Sequence, residues 1–358
     1  LDTIVVGHDE YGILTFYLHE TDNINSVKFV DEQTGYAVGG TTNENGHSVG
    51  FMLKTTDGGS SWKYVDIPNH NVFYDLEIND NGVLAIAAGS SGFITPPANA
   101  VYISEDDGAT WKVISAGNGP LFWDDLDYFD NKWVAVGESG AITTFSTADD
   151  TLHANLLTGH NITDIAFKDE AHGAFITGNS AFGAIYTTSN GGQTWGKRFS
   201  LPGRKDFAAI DYSSHDTLWA VGNDHYTGGA VWLIYTSTDG GQNWTKIDPG
   251  FPENEQYKEL LDVCFTSSQV GFIKTEYKLL KTTDGGVSWT EVPETSEITF
   301  SLYQRIHFLN KQMGWLVGFD KIAITKDGGA TWSVSYEKTE NQQSITSAQF
   351  VTASTGYI

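Results

Sequence analysis

The sequence predicts an all-β fold, a β-propeller of four-stranded antiparallel blades, from three observations. One eight-residue box recurs along the chain at intervals near 45 residues, each interval holds four short β-rich segments, and 39 glycines against eight prolines mark frequent tight turns. With 40% hydrophobic and 13% aromatic residues in 358, the chain has enough apolar surface for a packed core.

The box reads Ser/Thr-x-Asp/Asn-x-Gly-x-x-Trp and stands at residues 55–62, 104–111, 188–195, 237–244, 282–289 and 325–332. Its tryptophans are 43 to 49 residues apart, except for a gap of 84 between Trp111 and Trp195. That gap is two periods with a worn copy between them: residues 146–153 keep the serine but lose the Asp, the Gly and the Trp of the frame.

Each box is preceded by a pair of β-rich segments joined by a turn. In the first unit these are residues 26–30 and 36–39, and the pair returns at 162–167 with 173–178, 207–212 with 218–222, and 303–308 with 314–318. The box itself lies between two more segments, as with 50–54 and 62–67, giving four strands per unit, A (innermost) to D. Eight A-like strands are centred near Phe29, Ile78, Phe129, Phe167, Tyr212, Phe265, Phe308 and Phe350. The last supplies only A and B before the sequence stops, while residues 3–7 and 12–18 read as the two missing outer strands. The expectation is one domain over residues 1–358 with eight blades, one split between the termini; seven blades is the alternative.

Composition excludes whole function classes. Only 20 Lys and Arg face 45 Asp and Glu, a net charge of −25, the opposite of what a nucleic-acid binder needs. No basic amphipathic stretch and no apolar run of ~18 residues argues for membrane insertion. The one cysteine, Cys264, cannot form an internal disulfide and reads as a buried small hydrophobe.

The frame resembles the Asp-box, or BNR repeat, of sialidases, sortilin-type receptors, xyloglucan hydrolases and photosystem II assembly factors. In the C–D turn the side chains of Asp57, Asp106, Asn190, Asp239, Asp284 and Asp327 can accept backbone N–H bonds of their own loop. Trp62, Trp111, Trp195, Trp244, Trp289 and Trp332 then return into strand D and fill space between blades. Metal ligation or acid–base work by these carboxylates is disfavoured by spacing, since one group per blade spreads them around a circumference, whereas catalysis needs convergence.

Binding is therefore expected on the opposite face, where the unusual loops 41–49, 90–99, 223–229 and 248–259 fall. The starts of the inner strands are expected to bring Tyr74, Trp123, Glu259, Tyr303 and Arg305 to that rim as ligand-binding residues, with Asp124, Asp125, Asp164 and Asp206 as the carboxylates available for catalysis. A sialidase-like site needs three convergent arginines, but of Arg198, Arg204 and Arg305 only the last is on an inner strand. Residues 46–50 match G-x-S-x-G outside the strand-turn-helix context that the motif needs. Glu77, Asn79, Asn81 and Gly82 hint at a calcium loop but meet Ala88 where a glutamate is required. No HExxH or close histidine pairing supports zinc, and no metal or cofactor is expected. The leading functional expectation is a non-enzymatic binding or assembly scaffold for a protein or glycan, as the resemblance to the photosystem assembly family implies, secreted, periplasmic or at the cell surface. The alternative is a glycoside hydrolase using the rim carboxylates.

Overall fold

The computed structural model describes residues 23–337 apart from 43–47, 66, 68–70, 90–98, 116–121, 130, 179–181, 226–230, 252–258, 296–297 and 320, together with the backbone of four strands outside that span. Strands β1 (Asp2–Asp9) and β2 (Gly12–Leu18) form one two-stranded sheet, and β31 (Gln349–Thr352) and β32 (Thr355–Tyr357) another. Between them lie seven four-stranded antiparallel sheets.

Blade 1 is β3 (Asn23–Phe29), β4 (Gly35–Thr42), β5 (Ser48–Thr55) and β6 (Lys63–Val65), and blade 2 is β7 (Val72–Ile78), β8 (Leu84–Gly89), β9 (Asn99–Ser104) and β10 (Lys112–Ser115). Blade 3 comprises β11 (Trp123–Phe129), β12 (Lys132–Gly137), β13 (Ala141–Phe145) and β14 (Asn155–Leu156); blade 4 comprises β15 (Ile162–Phe167), β16 (Gly173–Thr177), β17 (Ala184–Thr188) and β18 (Gly196–Ser200). Blade 5 has β19 (Lys205–Tyr212), β20 (Leu218–Asp224), β21 (Val231–Ser237) and β22 (Thr245–Ile247). Blade 6 has β23 (Leu260–Phe265), β24 (Gly271–Thr275), β25 (Leu279–Thr282) and β26 (Thr290–Glu291), and blade 7 has β27 (Arg305–Phe308), β28 (Gly314–Val317), β29 (Lys321–Thr325) and β30 (Ser333–Glu337).

The count corrects the eight-blade expectation in favour of seven. Blade 7 packs directly on blade 1: Trp315, Val317 and Ile322 share one apolar cluster with Ile24, Val27 and Leu53, and the Ile24 N–H donates to the Gly318 carbonyl at 3.2 Å. Phe29 stacks on Trp315 with ring centroids 3.5 Å apart. These contacts fill the place a split eighth blade would need, so the terminal strand pairs do not complete the ring.

The box geometry is the same wherever the frame is intact. In blade 6, Thr282 Oγ1 donates to Asp284 Oδ1 and accepts from the Gly286 N–H, both at 2.8 Å; Asp284 in turn accepts from the Ser288 backbone at 3.0 Å and its hydroxyl at 2.6 Å. Gly286 sits at φ +86°, where a side chain is strained. Hydrogen bonds from Ser61, Asn243 and Ser288 pull Asp57, Asp239 and Asp284 respectively down to a pKa of about 2. The worn copy occupies the matching turn of blade 3, where Asp149 caps Ser146 at 2.7 Å and Leu152 is buried in the blade 2–3 core.

Box tryptophans meet the aromatic residue that ends their own inner strand edge-on, as Trp62 with Phe29, Trp195 with Phe167, Trp289 with Phe265 and Trp332 with Phe308. Beneath Phe265 lies Gly271, where a Cβ would come within 2.5 Å of the ring, and Gly35, Gly173 and Gly314 stand in the same way against Phe29, Phe167 and Phe308, so in these four blades the glycine after the A–B turn is a requirement of packing.

Candidate functional site

All seven inner strands enter the channel alike. A register shift marks β3, β7, β11, β15, β19 and β23 one to three residues into the paired segment, and in blade 7 the Gln304 N–H and Arg305 both face Val317. The bulge fixes the phase of the rest of the strand, because side chains alternate from one face to the other. Leu76, Leu126, Ile165, Ile210, Val263 and Ile306 point between blades, while Ser26, Asp75, Asp125, Asp164, Asp262 and Arg305 occupy the alternate positions and line the channel; in blade 5 the matching position is Ala209, which is buried against the blade 6 core. Two residues deeper, the same phase gives Lys28, Glu77, Asp127, Ala166, Asp211, Cys264 and His307.

The channel carboxylates are committed to the neighbouring blade. Asp75, Asp125, Asp164 and Asp262 each accept through Oδ2 a backbone N–H of the next inner strand, from Leu126 at 3.1 Å, Ile165 at 2.8 Å, Ile210 at 2.7 Å and Ile306 at 2.8 Å. In the deeper ring Asp211 accepts from Phe265 at 2.7 Å, Asp127 accepts from Phe167, and Lys28 reaches Glu77 of blade 2 at 2.6 Å. Sequence reasoning missed these latches. Their visible signal is an aspartate followed by a branched or leucine residue near the start of an inner strand, at 75–76, 125–126, 164–165 and 262–263.

Crowded burial of so many carboxylates raises their pKa values. Burial pushes Asp127 up to about 8, Asp211 to about 7 and Asp262 to about 6, the last eased by Arg305. Burial and the adjacent Asp164 push Asp125 well above the carboxylate range, and the two share a hydrogen bond. Burial works against the charge of Arg305, but Asp262, Asp164, Asp125 and Asp75 more than compensate. His307 is driven well below its ordinary value by burial and then by Lys28.

At the mouth, a cavity of about 140 Å³ is lined by Asn25, Tyr74, Asp75, Asp124, Asp262 and Arg305, among others. Asp124 sits at the bulge of blade 3, and its buried Oδ2 has no hydrogen-bond partner among the described residues. Burial raises it to about 7, Arg305 pulling in the other direction. A second opening of about 410 Å³ shares Arg305 and is lined by Asp206, His225, Glu259, Thr163, Asn223 and Gln304. There His225 Nε2 lies 3.0 Å from Asp206 Oδ1.

Of the nine rim residues expected from sequence, the fold brings Tyr74, Asp124, Asp125, Asp164 and Arg305 to the central cavity and Asp206, Glu259 and Arg305 to its neighbour. Trp123 and Tyr303 are corrections. They precede the bulge, point into the inter-blade core and are 0% and 1% exposed. Asn79 is a turn cap, its Oδ1 accepting from Asn81 and Val83 at 3.0 and 2.9 Å, which explains the calcium-like pattern. The central parts of the four candidate binding loops, residues 43–47, 90–98, 226–230 and 252–258, lie outside the described residues, as do the first two positions, 46 and 47, of the G-x-S-x-G segment, whose remainder begins β5.

Seven directly closed blades, Asp-box turns on one face and an ion-lined mouth on the other define a BNR-repeat propeller. The chain belongs to the family described as photosynthesis system II assembly factor YCF48, whose profile matches residues 143–254 and 251–340, together more than half of the sequence. Among solved structures it is similar to one described as YCF48 bound to D1 peptide, at 17% identity and TM-score 0.62, with 87% of this chain and 93% of that one covered. It is also similar to YCF48 from Cyanidioschyzon merolae, at 15% identity and TM-score 0.63 over 88% and 98% of the two chains. The extracellular domain of a putative one component system, BT4673 from B. thetaiotaomicron, matches at 12% identity and TM-score 0.63, covering 87% of this chain and 39% of that one. At these identities the structural likenesses establish the fold. No curated protein sequence matches the chain.

Proposed function

We propose that this chain is a non-enzymatic assembly scaffold that holds a segment of a partner protein over the central opening, on the face opposite the Asp-box turns. Family membership supports the reading, as does the similar YCF48 structure whose description names a bound peptide. The observation that carries it is the division of labour at the mouth. Asp75, Asp125, Asp164 and Asp262 are spent on blade-to-blade hydrogen bonds, whereas Asp124 keeps a buried, unpartnered acceptor oxygen facing the cavity beside Tyr74. An acceptor beside an aromatic ring in a cavity with carboxylates in excess suits a cationic side chain of an extended peptide. The net charge of −25 favours the same class of partner through long-range attraction.

The test is fluorescence anisotropy with labelled nonapeptides rich in lysine or in glutamate. The lysine peptide binds, weakens with salt, and tightens about three- to tenfold as pH rises through about 7 and Asp124 ionises. Asp124→Asn flattens that pH dependence. Binding indifferent to peptide charge and to Asp124→Asn overturns the reading. So does hydrolysis of a glycan panel that is lost in a folded Asp124→Asn variant, which would place the chain among glycoside hydrolases.

A further inference from the structure

We infer that Asp169, His172 and His215, on the Asp-box face, form a binding site for a divalent transition-metal ion of the zinc class, bridging blades 4 and 5. Asp169 and His172 stand in the A–B turn between β15 and β16, and His215 stands in the corresponding turn between β19 and β20. One donor atom from each lies within 4.8 Å of the other two. His172 Nδ1 is 2.9 and 3.1 Å from the two oxygens of Asp169, and His215 Nε2 is 3.8 Å from Asp169 Oδ2. Two imidazole nitrogens and one carboxylate are a common ligand set for zinc, and the set leaves a fourth position for water or a partner's side chain.

Two further features separate this cluster from a chance surface grouping. The Asp169 Oδ1 atom accepts the backbone N–H groups of Ala171 at 2.9 Å and His172 at 2.8 Å, so the carboxylate is held in place by its own turn. His215 Nδ1 is 2.7 Å from Asp216 Oδ1, which orients the ring with Nε2 toward Asp169 and His172. That carboxylate–imidazole pair is the outer-shell arrangement that zinc-binding histidines typically have. A tetrahedral zinc ion at about 2.0–2.1 Å from each donor sets the donors roughly 3.3–3.4 Å apart, so His172 Nδ1 and Asp169 already stand near enough and His215 Nε2 has to come closer. Rotation of the exposed His215 ring supplies that movement without disturbing either strand. Sequence spacing gave no zinc signal because the two histidines lie a blade apart; the ring of turns makes them neighbours, with rings 5.8 Å between centroids.

Isothermal titration of the chelator-treated full chain with zinc chloride tests the site, with cobalt(II) absorption reporting ligand type. The expected result is one equivalent bound, visible cobalt bands of a tetrahedral nitrogen–oxygen site, and a raised melting temperature. His172→Ala or His215→Ala abolishes the signal, and Asp216→Asn weakens affinity about 10-fold. Because these side chains are on the surface, circular dichroism of the variants should match the parent, and the cobalt spectrum of the parent reads imidazole ligation independently of them. Absence of stoichiometric binding, binding retained in the His172→Ala/His215→Ala double variant, or equal preference for magnesium overturns the inference.

Discussion

Asp125 Oδ2 accepts the Ile165 backbone N–H at 2.8 Å, so a carboxylate of blade 3 holds the inner strand of blade 4. The same relation joins blades 2 to 3, 4 to 5 and 6 to 7, on the channel side of the apolar packing between blades. An N–H deprived of such an acceptor is left in a narrow, poorly hydrated channel. Asp262→Ala is therefore expected to destabilise the protein by about 1–3 kcal/mol, measured by urea denaturation, with the far-ultraviolet spectrum unchanged. An unchanged midpoint would mean that the Ile306 N–H finds water as readily as it finds Asp262.

The same carboxylates set the pH profile of stability. Asp127, Asp211 and Asp262 have folded-state pKa values of about 8, 7 and 6 against 3.8 for a free side chain, with burial as the leading cause. Between pH ~4 and ~8 the folded chain retains protons that the unfolded chain has lost, so stability falls as pH rises across that window. The Asp-box carboxylates, at about 2 for Asp57, Asp239 and Asp284, act in the opposite sense and below it: their contribution is lost as pH falls from about 4 toward 2. Urea midpoints should decline from pH 5 to pH 8, and Asp211→Asn should make the decline shallower. A midpoint that rises over this range contradicts the assignment.

Lys274 of β24 is fully buried, donates to the Thr275 carbonyl, and is lowered to about 7 by burial, with Asp262, Glu294 and Glu276 opposing. A lysine that charges at about 10.5 when unfolded and only near 7 when folded makes a stability contribution that is lost as pH falls through that interval. Lys274→Met should therefore stabilise by about 1 kcal/mol or more at pH 7, with the gain shrinking as pH approaches 10.5. Thermal melts at pH 7 and 10 decide it; a gain independent of pH would point to packing alone.

Ring closure rests on Trp315, which is 0% exposed, against Phe29 of blade 1. Trp315→Ala removes a ring shared by the first and last blades and should cost about 3–5 kcal/mol. Because the loss falls at the closing interface, limited proteolysis is expected to cut near residues 22 or 338 before any internal blade. Cleavage beginning in blade 3 or 4 would place the weak point elsewhere.

Local features were read correctly from local letters. The Ser/Thr, Asp, Gly and Trp of each box interact within one turn, so eight consecutive residues carry the whole structural reason for the motif, and four strands per period follow from alternation and turn residues. Tyr74, Asp124 and Arg305 were placed at the mouth because their position at an inner-strand start required it. Trp123 and Tyr303 were misplaced because a bulge of one residue flips which side chain faces the channel, and nothing in the sequence marks where that extra residue sits.

The repeat alone determined that this chain folds into four-stranded antiparallel blades joined by stabilised turns, since those interactions span few residues. Only the tertiary structure decided that the ring closes at seven, that the channel aspartates hold the next blade, and that two histidines a blade apart meet on one face. Each of these depends on the angle and distance between neighbouring sheets, set by interdigitating side chains from segments tens of residues apart, a quantity that no single repeat encodes.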